Sequence, residues 1–265
     1  MSRIVIVGAM CAVVALSGAA LAAEVQGEAQ KGQESTQTND WSWRLTPYVW
    51  FTGLDGKAGV FSGLPAARVE ADFGDIFDIT DIGLMLNTER RFSEQWAFTG
   101  DWCYLKMSTT GDIPAAAGGG EIDFDSTTII AQPMAAYRVA SGDDYAADAL
   151  GGLRIWTLDN EIEVDGGAMA GAQKDDRETW ADPVLGFRAR KSLTERFFVN
   201  FQGDLGGFGV GSDFTWLAQG GVGYRFSDKI AGHLAYRHLD VDYDKDDIVW
   251  DVKMEGLLVG VSFLF

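Results

Sequence analysis

Two histidines and two cysteines occur among the 265 residues, so the chemistry open to this chain is narrow from the start. His233, Asp204 and a serine such as Ser262 could supply the base, orienting acid and nucleophile of a hydrolase if all three came within hydrogen-bond reach. No G-x-S-x-G or comparable signature marks such a serine, and a histidine satisfied by a neighbouring acid is the simpler account of His233. The acids Asp240, Asp242, Asp244, Asp246 and Asp247 form a D-x-D run suggestive of calcium. Asp247 stands where the EF-hand loop needs glycine, and Lys253 where it needs a bidentate glutamate, so that pattern fails. Asp242, Asp244 and Asp246 are left as weak metal candidates beside the plainer reading of a solvated acidic loop. Glu161, Glu163, Asp165, Asp175, Asp176 and Glu178 share that ambiguity. Gly206 to Gly211 invites a phosphate-loop reading, but it lacks the Lys-Ser/Thr ending and a receiving helix, and is expected to be a flexible turn. Cys11 and Cys103 with His233 and His238 cannot make a zinc cluster, and no cofactor is expected. A formal charge of -18 disfavours nucleic acid as a partner.

The elements that must position these groups are strands. The chain ends GLLVGVSFLF, with Leu257, Val259, Val261, Phe263 and Phe265 in one register and small or mixed residues in the other. That is the period-2 pattern of a strand. A bulky apolar face on a terminal strand would be an aggregation-prone edge in water but meets lipid in a transmembrane β-barrel. At the other end, Arg3, the apolar run Ile4 to Leu16 and Ala20-Leu21-Ala22 read as a secretory signal peptide, residues 1–23. Residues 24–40 are polar and nearly devoid of apolar side chains, so a disordered periplasmic tail is expected, followed by a barrel over 41–265. No later stretch is long and apolar enough for a membrane helix.

Between Trp41 and Phe265, alternating segments are joined by tight turns at Ser93-Glu94, Ser141-Gly142-Asp143, Leu193-Thr194 and Ser227-Asp228, and by long loops at the opposite end. Short turns on one side and long loops on the other is the barrel pattern. The count is ten strands, or twelve if the short pieces Lys57 to Phe61 and Ala66 to Phe73 belong to the wall and not to a hairpin outside the bilayer. Asp75 to Asp81 reads as a kink or a short helical plug.

Several phrases carry a resemblance: Thr46-Pro47-Tyr48-Val49-Trp50 with Gly53-Leu54-Asp55-Gly56, Gly152-Leu153-Arg154-Ile155-Trp156, Trp180-Ala181-Asp182-Pro183, the run Gly203 to Asp213, and Tyr236-Arg237-His238-Leu239-Asp240. Together they resemble a large, mostly uncharacterised family of Gram-negative outer-membrane β-barrel proteins. That resemblance implies fold and location and transfers no catalytic residue. His238 departs from it, standing where an aromatic such as Tyr is expected. The terminal Phe also resembles the signal by which the barrel assembly machinery recognises its clients. Outer-membrane lipid and lipopolysaccharide are then the expected surroundings, and loop acids could share divalent cations with lipopolysaccharide phosphates.

If the apolar register of each strand faces lipid, the other register fills the lumen with Arg44, Arg91, Arg138, Arg154, Arg188, Arg225 and Arg237. Glu89, Asp101, Asp148, Asp182, Asp204, Asn200, Gln202, Gln219 and His233 share it. Such groups must pair or be hydrated. They form either a salt-bridged plug, the favoured reading because ten strands enclose little more than side chains, or a charge-selective constriction for small polar solutes. Arg154, Arg188, Arg237, Asp182 and Asp204 are expected at its centre. Trp43, Trp102, Trp180, Trp216, Tyr137, Tyr224 and Tyr236 read as interfacial girdles, and Trp50 and Trp156 as inward-facing candidates for solute contact. The expectation is a non-enzymatic structural surface protein or narrow channel. A ligand-binding protein or hydrolase is the alternative.

Overall fold

The computed structural model describes residues 42–60, 66–113, 119–168, 170–245 and 248–265. The expected signal peptide and tail, and Asp246 and Asp247, lie outside them. The elements are β1 (Trp43–Gly59), β2 (Ala67–Ala71), α1 (Phe73–Asp78), β3 (Thr80–Arg91), β4 (Trp96–Asp112), β5 (Glu121–Ser141), β6 (Tyr145–Asp165), β7 (Gln173–Ser192), β8 (Phe197–Gly207), β9 (Phe214–Ser227), β10 (Ile230–Lys245) and β11 (Ile248–Leu264). From β3 to β11 each strand pairs antiparallel with the next, and β11 closes on β1 from Arg44↔Leu264 to Gly59↔Val249. The result is a closed ten-stranded transmembrane barrel. The short β2 is a flap paired only with Leu54 to Ala58 of β1, so the smaller of the two expected strand counts holds.

One local device recurs at three of the short turns. Ser93 Oγ accepts from the Gln95 and Trp96 amides, Thr194 Oγ1 from those of Arg196 and Phe197, and Ser227 Oγ from that of Lys229. A hydroxyl that satisfies backbone donors two or three residues on folds the chain back without a long loop. Just inside these turns the wall carries outward aromatic pairs, Trp96 with Tyr137 and Phe197 with Tyr224, each with ring centroids 4.9 Å apart. They form one girdle of the lipid belt.

The strands run well past the belt at the other end. Along β11 the outward side chains change from Asp251, Lys253 and Glu255 to Leu257, Val259, Val261 and Phe263, while the inward ones change from Trp250, Val252 and Met254 to Gly260 and Ser262. The switch lies at Gly256. On β10 the outward set passes from Leu234 and Tyr236 to His238, Asp240, Asp242 and Asp244, and the inward set from His233 and Arg237 to Leu239, Val241 and Tyr243. On β6, Leu153 and Ile155 give way outside to Asp159, Glu161 and Glu163, and Asp148 and Arg154 give way inside to Trp156 and Leu158. Within lipid the apolar side must face out; in water the same barrel must turn its apolar side in. The acidic segments expected as loops, 159–165, 173–178 and 242–245, are therefore strand. Their charges hid an alternation whose apolar member points inward.

The wall has one weak seam. β1 meets β3 only from Trp43↔Arg90 to Pro47↔Leu86, whereas β1 meets β11 along nearly its whole length. Above Pro47 the two strands diverge and α1 lies outside the gap. A reciprocal capping box starts α1, with the Asp75 amide donating to Asp72 (3.0 Å) and the Asp72 amide to Asp75 (3.1 Å). Phe73 packs on the outward ring of Phe51 at 4.8 Å, and Phe77 is exposed. The segment Asp75 to Asp81 is thus neither a kink nor a plug in the lumen; it is helix as far as Asp78 and enters β3 at Thr80.

Candidate functional site

The alternation that defines the wall also stacks three layers in the lumen. At the short-turn end, Glu89 on β3 is buried and accepts from Arg44 (2.6 Å), Arg91 (2.8 Å) and Arg188 (2.7 and 3.0 Å). Asp148 on β6 accepts from Arg188 (2.9 Å) and from Arg138. Two carboxylates are thereby shared among four arginines from β1, β3, β5 and β7. Each guanidinium spreads its donors in a rigid plane, which lets several reach one carboxylate.

The middle layer holds two separate clusters. Arg237 on β10 donates to both oxygens of Asp101 on β4 (3.2 Å each), to Gln219 (2.7 Å) and to the Tyr48 hydroxyl (3.0 Å), and Tyr48 donates to Asp101 (2.6 Å). Its guanidinium also stacks on Trp50 at 5.3 Å. Arg154 on β6 is 0% exposed and donates to Asp204 (2.6 Å), Thr215 (2.7 Å) and Gln132 (3.1 and 3.2 Å), while Gln132 donates to Asp204 (2.9 Å). A guanidinium out of water needs this density of acceptors.

Above these the lumen is aromatic. Trp180 lies between Trp156 (5.7 Å, near-parallel) and Tyr243 (4.1 Å), and Leu158, Leu239, Val241, Trp250, Val252 and Met254 fill the space around the stack. The segment after β8 closes over it. Ser212 is buried, donating to Asp182 from its amide (2.5 Å) and hydroxyl (2.8 Å) and accepting from the Trp180 indole (2.9 Å). A Cβ on Gly211 would lie 2.6 Å from an Asp182 oxygen and 2.7 Å from the Ala181 carbonyl, so only glycine admits that approach. The stretch from Gly206 to Gly211 is therefore pinned to the barrel and is not the loose turn its composition suggested.

The expected central set of Arg154, Arg188, Arg237, Asp182 and Asp204 is not one network. Only Arg154 and Asp204 bond to each other. Arg188 belongs to the short-turn layer, Arg237 to Asp101, and Asp182 to the Ser212 clamp. Arg225 donates to the Glu195 carbonyl (3.1 Å). Trp50 and Trp156 are both buried in packed layers and present no free face for a solute. Trp180 is a lumen residue and not a girdle residue. His233 and Ser262 do meet, at 2.6 Å, but Asp204 is engaged by Arg154 and Gln132, and Ser262 is 2% exposed with Thr46 at 2.7 Å. Tyr48, Gln132, Thr215 and Ser212 were missed as site residues. The first three sit in the inward register and could have been found by it; Ser212 follows a glycine run with no register to read.

Outside the belt, Asp242 faces Asp251 across the β10–β11 ladder. Partial burial, then the charges of Asp251, Asp213, Asp244 and Asp240, hold its carboxyl above the ordinary range. Among the described residues no group of three or more His, Cys, Asp or Glu side chains is arranged to hold a metal ion.

No family model matches the sequence, and no curated protein does. Solved structures match by shape. The chain is similar to the translocator domain of autotransporter NalP from Neisseria meningitidis, with 13% identity, a TM-score of 0.53, and 97% of this chain and 98% of that one covered. It is similar also to the outer membrane protease OmpT from Escherichia coli, with 10% identity, a TM-score of 0.53, and 87% and 100% covered. At these identities the likeness is one of fold, whatever the activity of either protein. The chain has the transmembrane β-barrel fold found in Gram-negative outer-membrane proteins.

Proposed function

We propose that this is a non-enzymatic structural protein of a Gram-negative outer membrane, with its lumen stoppered and with no solute path through it. In this reading the leader directs secretion, the barrel assembly machinery engages β11, the short turns lie in the periplasm, and the long β4–β7 and β10–β11 extensions stand above the lipopolysaccharide surface. The observation that carries it is the pair of cross-lumen links, Arg188 to Glu89 and Arg237 to Asp101, each joining strands four positions apart around the wall. A guanidinium and carboxylate that meet in mid-lumen occupy the space a solute would need. The aromatic layer above gives a second, independent obstruction. The burial of Ser262 favours a non-enzymatic role over a hydrolytic one, since an acyl group must reach a nucleophile to be cut.

Planar bilayer recording of the purified full-length protein tests this. The expected result is no steady conductance from the wild type, and brief openings from an Arg237→Ala, Trp156→Ala double variant. A stable open pore in the wild type would replace the stopper with a channel. A serine-directed covalent probe that labels Ser262 would restore the hydrolase reading.

A further inference from the structure

The geometry points to a small-oxyanion site, for a phosphate or a carboxylate, at the short-turn mouth of the lumen, held between the guanidinium groups of Arg190 and Arg225. The charge of this region runs against that of the molecule. In a chain of net charge -18, the lumen-facing positions at this end carry Arg44, Arg91, Arg138, Arg188, Arg190 and Arg225. Glu89 and Asp148 serve Arg44, Arg91, Arg138 and Arg188 there, and neither makes an ion pair with Arg190 or Arg225. Acids on the adjoining turns, such as Asp144 with Lys191, are exposed and screened by water. A guanidinium inside a low-dielectric wall calls for a neighbouring anion.

The lumen carboxylates at this end are not spread evenly. Both carboxylates lie on β3 and β6, whereas the lumen face of β8 to β11 below Asp204 offers Asn200, Gln202, Arg225, His233 and Ser262 and no acid. Arg190 faces that side. Its guanidinium carbon lies over the Phe198 ring, 3.7 Å from the centroid, and no ion pair to any described carboxylate accompanies this contact. Besides burial, the positive charges of Arg44 and Arg225 and, with opposite sign, the more weakly acting charge of Glu89 act on it. The His233 ring stands edge-on to Phe198 at 5.4 Å and is fixed by its 2.6 Å contact with Ser262. Phe198 is thus a shelf against the Arg190 guanidinium, and a fork held on a ring in this way suits a planar or tetrahedral oxyanion. Next to it, across the β7–β8 ladder, Asn200 keeps a buried Oδ1 with no donor, which a protonated phosphate or carboxyl oxygen could supply. The site lies at the short-turn end and is indifferent to whether the lumen above conducts.

Calorimetric titration of the folded full-length protein in detergent with inorganic phosphate, and separately with acetate, against chloride at constant ionic strength, tests the assignment. A saturable isotherm is expected for the wild type with at least one of the two anions. It should weaken tenfold or more in Arg190→Gln and in Arg225→Gln and stay unchanged in Arg177→Gln, whose charge lies on the outer face beyond the belt. Phe198→Leu removes the shelf without removing charge and keeps the test informative if an arginine variant fails to fold; it too should weaken binding. No saturable uptake of either anion by the wild type overturns the proposal. So does an isotherm unchanged in the folded Phe198 or arginine variants.

Discussion

Arg188 and Glu89 start on strands four positions apart around the barrel and meet through two hydrogen bonds of 2.7 and 3.0 Å. The contact does more than neutralise charge. It braces β7 against β3 across the lumen at the level where β3 also makes its short pairing with β1, the least supported part of the wall. The same Glu89 holds Arg44 of β1, so one carboxylate ties three walls together on both sides of the seam. The lumen of this protein is its polar core at one end and its apolar core at the other.

Removing Glu89 should therefore be costly. Glu89→Ala leaves three arginines facing one another around an empty position, and breaking a buried ion pair by deleting one partner costs about 3–5 kcal/mol. Urea unfolding of the barrel in lipid vesicles, followed by tryptophan fluorescence, should show a loss of this size. Glu89→Gln, which keeps the shape and one acceptor, should lose less. A loss under about 1 kcal/mol in both would mean that water fills the role assigned to this carboxylate.

The aromatic layer makes a separate demand on packing. Trp156 is 0% exposed between Trp180 and the Arg154 cluster, and truncating a buried tryptophan costs about 3–5 kcal/mol. Trp156→Ala alone should lower stability by that order while the barrel stays closed, because Arg154, Asp204 and Arg237 still span the lumen beneath. Unfolding midpoints together with single-channel recordings of this variant check both halves of the expectation.

How much of this was legible beforehand depends on where along a strand one looks. Within the belt a single rule, apolar out and polar in, can be read off the alternation, and it assigns Arg44, Arg154, Arg188, Arg237, Asp101, Asp148 and Asp204 to the inward register. Beyond the belt the rule reverses sign. Leu239, Val241 and Tyr243 alternate as plainly as Leu257, Val259 and Val261, but the acids around them, Asp242 and Asp244 above all, made the end of the segment look like loop. Trp180 was assigned to lipid for the same reason. Which carboxylate each arginine chooses was not legible at all, because it depends on the stagger of strands distant in sequence. Arg237 and Asp101 are separated by 136 residues.

The seam should be visible in solution. Residues 48–53 of β1 and 81–85 of β3 lack each other as ladder partners, although α1 covers part of the gap. Amide exchange in these segments should be faster than in β5 and β6, whose pairing runs from Glu121↔Asp165 to Ser141↔Ala146. Mass-spectrometric exchange on the protein in nanodiscs would locate it. Uniform protection around the barrel would indicate that lipid or α1 seals the gap as firmly as a strand does.

The outer face beyond the belt should respond to acid through Asp242. An acid whose pKa is higher folded than unfolded binds more protons in the folded state between the two values, so stability falls as pH rises through that window. Asp242 is such a group, raised by partial burial and by the acids around it, with Asp251 directly opposite. Asp55, hydrogen-bonded to Lys253 at 3.0 Å, has the opposite sign: its lowered pKa gives stability that is present above the unfolded value and lost as pH falls. Asp242→Asn should consequently stabilise the β10–β11 extension at pH 7, by about 0.2–1 kcal/mol, the usual range for one cross-strand charge pair. The gain should shrink as pH falls and vanish below about pH 4, where the wild-type carboxyl is itself neutral. Proteolytic susceptibility of the extension, compared between wild type and variant across that pH range, gives the measurement. A gain that persists at low pH would assign the effect to side-chain shape and not to charge.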